Sequence, residues 1–181
     1  MLDVSRIEEG KFGYEFRMGD IDKFAKKIFD ELQPDAQRKH INFNFIEPAE
    51  PLSQISFDSD KLDIAIRNVI DNAIKYTMSG GNIEVKFRAE KKSLFLIIKD
   101  DGIGIPKEEQ RFIFIKFYRA KNAIRFQTEG SGLGLYIAKN IAEKHNASLV
   151  FESEKDKGST FIFQFSSEPQ RMPKGTIQGV Q

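Results

Sequence analysis

Apolar side chains recur along this chain with two different spacings. In three segments they fall at helical positions (i, i+3, i+4, i+7), which predicts three main helices over 20–33, 58–77 and 133–145. Pro34 predicts that the first helix stops or restarts there. A nearly unbroken apolar run at 94–99 predicts a strand buried on both faces, and polar–apolar alternation predicts the others. The predicted strands are 11–17, 41–46, 54–57, 82–89, 94–99, 148–152 and 160–165.

The order of these elements limits the fold. Strands cluster along the chain instead of alternating strictly with helices, which favours an α+β two-layer sandwich over a doubly wound sheet. Residues 11–166 carry the pattern and form the predicted domain. We expect residues 1–10 to be the end of an upstream helix with a linker. We expect residues 167–181, which are polar and rich in Gly and Pro, to be a disordered tail.

Composition argues against several classes of function. The 181 residues include 28 basic and 27 acidic side chains, and this near balance argues against nucleic acid as the main partner. The absence of Cys excludes disulfides and thiolate metal sites. The two histidines, His40 and His145, lie far apart in sequence, so a His-based metal site is not expected. No apolar run approaches the roughly 18 residues of a membrane span.

The helix predicted over 58–77 has an unusual polar face. Asn68, Asn72, Lys75 and Tyr76 fall on one side of it, opposite a face of Leu, Ile, Val and Ala. Asn is a poor choice in a helix interior, because its amide competes for backbone groups. Two Asn residues at i and i+4, followed by a Lys, suggest a functional row, although a solvated polar face is the alternative.

Two glycine-rich segments could approach a ligand closely. Asp100–Ile105 follows the buried strand and reads D-D-G-I-G-I, and Gly130–Leu135 opens a helix and reads G-S-G-L-G-L. A helix N-terminus suits phosphate oxygens. The second segment lacks the spacing of a dinucleotide-binding motif and the Lys of a P-loop. A plain tight turn and a flexible hinge, respectively, are the alternatives.

A third segment has the composition of a lid. Phe112–Arg119 is rich in aromatic residues, and a polar stretch over 120–129 follows it and leads into Gly130. Apolar residues at the base can hold such a segment while its tip closes over a ligand. Arg119, Lys121 and Arg125 could reach phosphates or could be solvated.

Taken in this order, the segments resemble the ATP-binding catalytic domain of sensor histidine kinases over roughly residues 2–165. That resemblance implies a mixed, mostly antiparallel sheet packed against three main helices. The motifs that carry it correspond to the family's N box (Asn68–Thr77), first Gly box (Asp100–Gly104), F box (Phe114–Arg119), second Gly box (Gly130–Leu135) and closing Gly-Thr element (Gly158–Phe161).

The resemblance implies ATP and Mg²⁺ as ligands and assigns roles to side chains. Asn72 would hold the metal, with Asn68 in support, and Lys75 would contact phosphate; these three are the expected catalytic residues. Tyr76 would stack on adenine, and Asp100 would accept from its exocyclic amine. The hydroxyl of Thr160 would assist near the adenine. The complete expected binding set is Asn68, Asn72, Lys75, Tyr76, Asp100, Gly102, Gly104, Ile105, Arg119, Gly130, Gly132, Leu133, Gly134 and Thr160.

The resemblance also implies partners. The γ-phosphate would pass to a His on a separate dimerisation and phosphoacceptor domain and then to the receiver domain of a response regulator. We expect His40 and His145 to be structural, because neither has an acidic neighbour on its C-terminal side. We expect a cytoplasmic location, no nucleic-acid or membrane contact by this fragment, and a homodimeric full-length kinase that can be membrane-anchored.

Two other functions stay open from the sequence. A related ATPase, of the gyrase, chaperone or mismatch-repair kind, or a Ser/Thr anti-sigma kinase, would hydrolyse ATP or phosphorylate a protein Ser. Those ATPases typically carry a water-activating Glu where this chain has Asn68. A catalytically silent nucleotide-binding module is the other candidate, and the intact Asn72, Lys75 and Asp100 argue against it.

Overall fold

A computed structural model describes residues 13–166. Within that range no helix is long and apolar enough to span a bilayer. The helices are α1 (Ile21–Arg38), α2 (Ser59–Tyr76), the short α3 (Lys121–Phe126) and α4 (Gly134–Lys144), with a 3₁₀ turn at Gln110–Phe112. The strands are β1 (Arg17–Gly19), β2 (Asn42–Ile46), β3 (Ile55–Phe57), β4 (Asn82–Glu90), β5 (Ser93–Asp100), β6 (Ser148–Glu154) and β7 (Gly158–Ser166). The segments expected at 1–10 and 167–181 lie outside the described residues.

Five strands form one sheet in the order β2-β4-β5-β7-β6. Only the β2–β4 pair is parallel, while β4, β5, β7 and β6 pair antiparallel through hairpins and a longer return. The expected mixed, mostly antiparallel sheet is therefore confirmed. The register places Asp100, the last residue of β5, opposite Ser159 of β7. That pairing brings the first glycine segment beside the start of the last strand.

Helix α2 is the centre of the helical layer. It packs against α1, α4 and β5. Its apolar face is fully enclosed, as the helical spacing of its apolar residues predicts. Burying one such aliphatic side chain contributes roughly 1.5–3 kcal/mol. The buried residues of this face are Leu62, Ala65, Ile66, Val69, Ile70, Ala73 and Ile74. With one face held on the sheet and α4, the opposite polar face is fixed in direction.

The ends of the helices have identifiable caps. Asp58 caps α2, because its Oδ1 accepts from the backbone N–H of Lys61 at 3.0 Å. His40 and Asn146 follow α1 and α4 with positive φ values of 56° and 50°. In both turns the next residue donates back to the helix, as in a Schellman motif. His40 is therefore a structural stop signal, in agreement with the expectation.

His145 is structural as well. Its ring is buried, and its Nε2 accepts from the N–H of Asp58 at 3.1 Å while its Nδ1 lies 2.8 Å from the carbonyl of Ile141. Burial lowers the pKa of this imidazole, so the neutral form is favoured. Tyr14 and Phe16 pack against the ring, with centroids 5.8 and 5.0 Å away.

Expectations about two strands and the first helix need correction. Within the predicted strand 11–17, residues 13–16 are irregular, because Tyr14 and Phe16 pack on His145 and only β1 pairs with β3. Helix α1 continues through Pro34 to Arg38, since Leu32 and Ala36 are buried on either side of it. Strand β5 is buried on both faces only in part: Leu94, Leu96 and Ile98 are enclosed on one face, and on the other Ile97 is buried whereas Lys99 is exposed.

Candidate functional site

A cavity of about 290 Å³ lies between α2 and the segments that follow β5. Its walls come from the polar face of α2, both glycine-rich segments, the base of the predicted lid and the start of β7. These segments are separated by up to about ninety positions in sequence, from 68 to 161. The fold therefore joins all the candidate motifs in one place.

The polar face of α2 forms one wall. Asn68, Asn72, Lys75 and Tyr76 all line the cavity. The amide nitrogen of Asn68 donates to the carbonyl of Ile64 at 2.9 Å, which leaves its oxygen directed at the start of α4. A Cβ added at Gly134 would lie 2.7 Å from that oxygen. The four side chains are partly buried and line the cavity.

Asp100 lies at the floor of the cavity and is buried. Its Oδ1 accepts from the backbone N–H groups of Gly102 at 2.9 Å and Ser159 at 3.2 Å. Among residues 13–166 its Oδ2 has no hydrogen-bond partner. Burial raises the pKa of Asp100 to about 6, against the effect of the two backbone donors and with a small addition from Asp101. The carboxylate therefore offers one unused acceptor to a ligand in the cavity.

The first glycine segment is pressed against its neighbours. Gly104 has a φ of 56°, and a Cβ there would lie 1.9 Å from the carbonyl oxygen of Glu154. A Cβ at Gly102 would lie 2.4 Å from the carbonyl oxygen of Tyr76. Ile103 donates to that same oxygen at 3.1 Å. Only glycine permits this contact between the loop and the end of α2.

Two cations reach across the cavity to the lid. The Nζ of Lys75 donates to the carbonyl of Glu129. The guanidinium of Arg119 donates to the carbonyls of Thr128, at 2.6 Å, and of Gln127. Both groups flank Gly130, where a Cβ would lie 2.8 Å from the Lys75 Nζ. The two groups expected to meet phosphate thus hold lid carbonyls in this structure.

The base of the lid is anchored by side chains that the sequence did not single out. The buried Glu109 accepts from the Tyr118 hydroxyl and from the N–H of Lys121, both at 2.8 Å. Asn122 donates to the carbonyl of Gly104 at 2.8 Å. These bonds order the short helix α3, where only a loop was expected. A lone Glu and a lone Asn carry no pattern that would reveal such roles.

Most of the expected binding residues line the cavity, and three do not. Those that do are Asn68, Asn72, Lys75, Tyr76, Asp100, Gly104, Ile105, Arg119, Gly130, Gly132 and Gly134. Gly102 supports the loop from behind, as described above. Leu133 precedes α4 and packs, partly buried, against the core.

Thr160 is in the wrong position for its expected role. It pairs with Lys99 and Glu152, so its side chain lies on the other face of the sheet. Ser159 and Phe161 line the cavity instead. Strand alternation places positions 159 and 161 on one face and 160 on the other. The inward-facing hydroxyl is therefore that of Ser159, a correction that the register alone decides.

Residues 57–169 match the family described as histidine kinase-, DNA gyrase B-, and HSP90-like ATPase. This match covers more than half of the chain and includes every segment that lines the cavity. The chain belongs to this family.

Relatives narrow the branch within the family. The chain is 30% identical over 165 residues to the sensor histidine kinase WalK of Bacillus subtilis, covering 90% of this chain and 27% of that protein. It is 36% identical over 156 residues to the histidine-protein kinase ArlS of Staphylococcus aureus, covering 77% and 35%. The chain is thus an ATPase-type domain of the sensor histidine kinase branch. It spans about a quarter to a third of the length of these curated relatives.

Solved structures of histidine kinases have a fold similar to that of this chain. A mycobacterial sensor histidine kinase, MprB, is 26% identical with a TM-score of 0.69, and the match covers 87% of this chain and 99% of that one. The catalytic domain of the histidine kinase ThkA has a TM-score of 0.73 at 24% identity, covering 86% and 99%. The second likeness shows the fold alone. The expected α+β sandwich of a histidine kinase catalytic domain is confirmed.

Proposed function

We propose that the cavity binds Mg-ATP and that the domain is the phosphoryl-donating module of a sensor histidine kinase. The observation that carries the proposal is the meeting of three features in one cavity: the Asn68–Tyr76 wall, the unused acceptor of Asp100 and the cations beside Gly130. A related fold, full-length ShkA, is described in complex with the ATP analogue AMPPNP. That description supports the proposal by analogy.

Asp100 would select the base. Its free Oδ2 can accept a hydrogen bond from the exocyclic amine of adenine. Guanine carries a carbonyl at that position, so two acceptors would face each other without a proton between them. Tyr76, which lines the cavity, would pack on the base. The Ser159 hydroxyl, which lies 3.0 Å from that of Ser153, would complete the polar edge.

The residues present fit Mg²⁺ with nucleotide. Residues 13–166 contain no group of three or more His, Cys, Asp or Glu side chains able to hold a metal ion without help. Mg²⁺ prefers oxygen and usually keeps waters and substrate phosphates in its shell. The amide oxygens of Asn72 and Asn68 are suitable ligands beside a triphosphate. The ion would neutralise charge on the phosphates.

The reaction would need little covalent chemistry from this chain. Phosphoryl transfer depends mainly on positioning and charge stabilisation. Lys75 and Arg119 would exchange lid carbonyls for phosphate oxygens, and the γ-phosphate would pass to a ring nitrogen of a His on the dimerisation domain as ADP leaves. The acceptor would then supply a response regulator. We expect the kinase to be a homodimer, and we expect this cycle to take place in the cytoplasm.

The first experiment compares two asparagine variants. Asn72→Ala should keep the fold and weaken Mg-dependent ATP binding by roughly 10- to 100-fold, as expected when metal coordination is disturbed. Asn140→Ala is the control, because Asn140 is also a helical Asn, in α4, but does not line the cavity. Calorimetric titration with and without Mg²⁺ measures both. Unchanged binding by Asn72→Ala would refute the assignment.

The acceptor is tested separately. Mixing the wild-type chain with the dimerisation domain of its own kinase and labelled ATP should give acid-labile phosphate on that domain. Free phosphate released without a partner would indicate the ATPase alternative, and acid-stable phosphoserine would indicate the Ser/Thr kinase. Label on His40 or His145 of the chain alone would contradict their structural roles.

A further inference from the structure

The last turn of α2 carries two nucleotide residues, Lys75 and Tyr76, and ends without a glycine cap. The final carbonyls of any helix lack partners within the helix. Here the Ala73 carbonyl accepts from Thr77 at 3.0 Å, and the Tyr76 carbonyl accepts from Ile103 at 3.1 Å. The carbonyls of residues 74, 75 and 77 must therefore find a donor elsewhere in the fold.

One side chain supplies that donor. The Nζ of Lys39 donates to the carbonyls of Ile74 and Lys75 at 2.8 Å and to that of Thr77 at 3.3 Å. An ammonium has three N–H donors, and each one has a carbonyl partner here. Its charge also lies at the negative end of the α2 dipole. Lys39 comes from the turn after α1, which makes this a cap from a distant segment.

The same ammonium reaches the lid. It lies 5.9 Å from the ring centroid of Phe126, the last residue of α3. That ring lies 6.4 Å from the ring of Tyr76. Burial, with repulsion from Lys75, lowers the pKa of Lys39. Lys39 thus contacts both the end of α2 and the lid helix.

We propose that Lys39 is a positioning residue of the nucleotide site, which holds the last turn of α2 and the lid helix in the arrangement that ATP requires. This inference rests on the proposed binding of ATP to the cavity. Lys39 does not line the cavity, so it acts through Lys75, Tyr76 and Phe126. The alternative is a helix cap that contributes only to stability.

The test uses three variants of the full chain. Lys39→Met removes the donors and keeps an aliphatic stem. Lys39→Arg keeps the charge, but its planar fork cannot direct three donors at converging carbonyls. Lys27→Met is the control, since Lys27 lies on α1, which leads into Lys39, and is an exposed Lys paired with Glu31 at 3.9 Å. Thermal unfolding identifies a temperature at which each variant is folded, and ATP affinity is measured there by calorimetry.

At that temperature Lys39→Met should bind ATP about tenfold or more weakly, which corresponds to the loss of one to two hydrogen bonds. Hydrogen exchange over residues 121–130 should become faster. Lys39→Arg should be intermediate and Lys27→Met unchanged. If Lys39→Met does not fold, Lys39→Arg decides: a several-fold loss of affinity supports the inference, and wild-type affinity overturns it.

Other outcomes separate the two proposals. Wild-type affinity and wild-type lid exchange in folded Lys39→Met would reduce Lys39 to a helix cap and overturn the inference while ATP binding stands. If the wild-type chain itself does not bind ATP, the proposed function fails and the inference fails with it.

Discussion

The two ends of the cavity are built differently. At one end Asp100 is held by backbone N–H groups of Gly102 and Ser159, and the glycine loop is locked against the end of α2. At the other end Lys75 and Arg119 bind carbonyls of the lid segment 127–130. The first end is fixed by backbone contacts that need no ligand. The second end uses groups that must change partners when a ligand arrives.

This difference indicates how the proposed site divides its work. A buried acceptor that is already oriented gives selectivity, because a wrong base leaves it unpaired. Cations that release lid carbonyls for phosphate oxygens couple binding to lid motion, since the ligand and the lid compete for the same donors. The predictions below alter the two ends separately, in order of decreasing effect.

The largest effect is expected at the fixed end. Asp100→Asn keeps an oxygen for the Gly102 and Ser159 donors but turns an amide donor toward the base. Two donors would then face each other, and ATP affinity should fall about 100-fold. Calorimetric titration measures the loss. Asp101→Asn is the control, because Asp101 is exposed and binds Asn82 outside the cavity. Equal ATP affinities for the wild type and Asp100→Asn would refute the assignment of Asp100 as a contact of the base.

The same variant should be more stable than the wild type without ligand. The pKa of Asp100 is raised from 3.8 to about 6 in the folded state. As the pH rises, the Asp100 carboxyl therefore loses its proton first in the unfolded state, and its ionisation opposes folding. Asn cannot ionise, and we expect a gain of about 1–3 kcal/mol in the free energy of unfolding at pH 7.5. Opposite signs for stability and affinity would mark a residue kept for binding. A loss of stability would contradict this account.

A smaller effect is expected at the exchanging end. Arg119→Gln removes the guanidinium that binds Gln127 and Thr128, so the lid should exchange hydrogen faster without ligand and ATP affinity should fall about tenfold. Arg125→Gln carries the same charge change on an exposed part of the lid and should leave both properties unchanged. If both variants lose affinity equally, net charge and not the lid contact is responsible.

The smallest effect is a dependence on pH. Protonation of Asp100 removes its acceptor, so ATP affinity should fall about fourfold between pH 7.5 and 5.5, given a pKa of about 6. The stability of the ligand-free domain should change in the opposite sense and rise as the pH falls from about 6 towards 4. Asp100→Asn should abolish both dependences. A pH profile that is the same in this variant would assign the titration to another group.

Local pattern predicted those parts of the site that depend on a single element. The helical spacing of α2 places its apolar residues on the core side, which forces Asn68, Asn72 and Lys75 to the opposite side. The order of the motifs along the chain was specific enough to identify the family. Thr160 was misplaced, because the register of β7 sets its direction and one residue decides between the two faces of a sheet.

What the sequence alone determined is the three main helices with their core faces, the strands of the five-stranded sheet and the chemical identity of the cavity-lining motifs, since these follow from spacing and residue type. Only the tertiary structure decided which groups meet. Lys39 at the end of α2, Glu109 beneath the lid and Ser159 beside Asp100 are contacts between segments distant in sequence. Such contacts depend on how the layers pack, and no local periodicity records them.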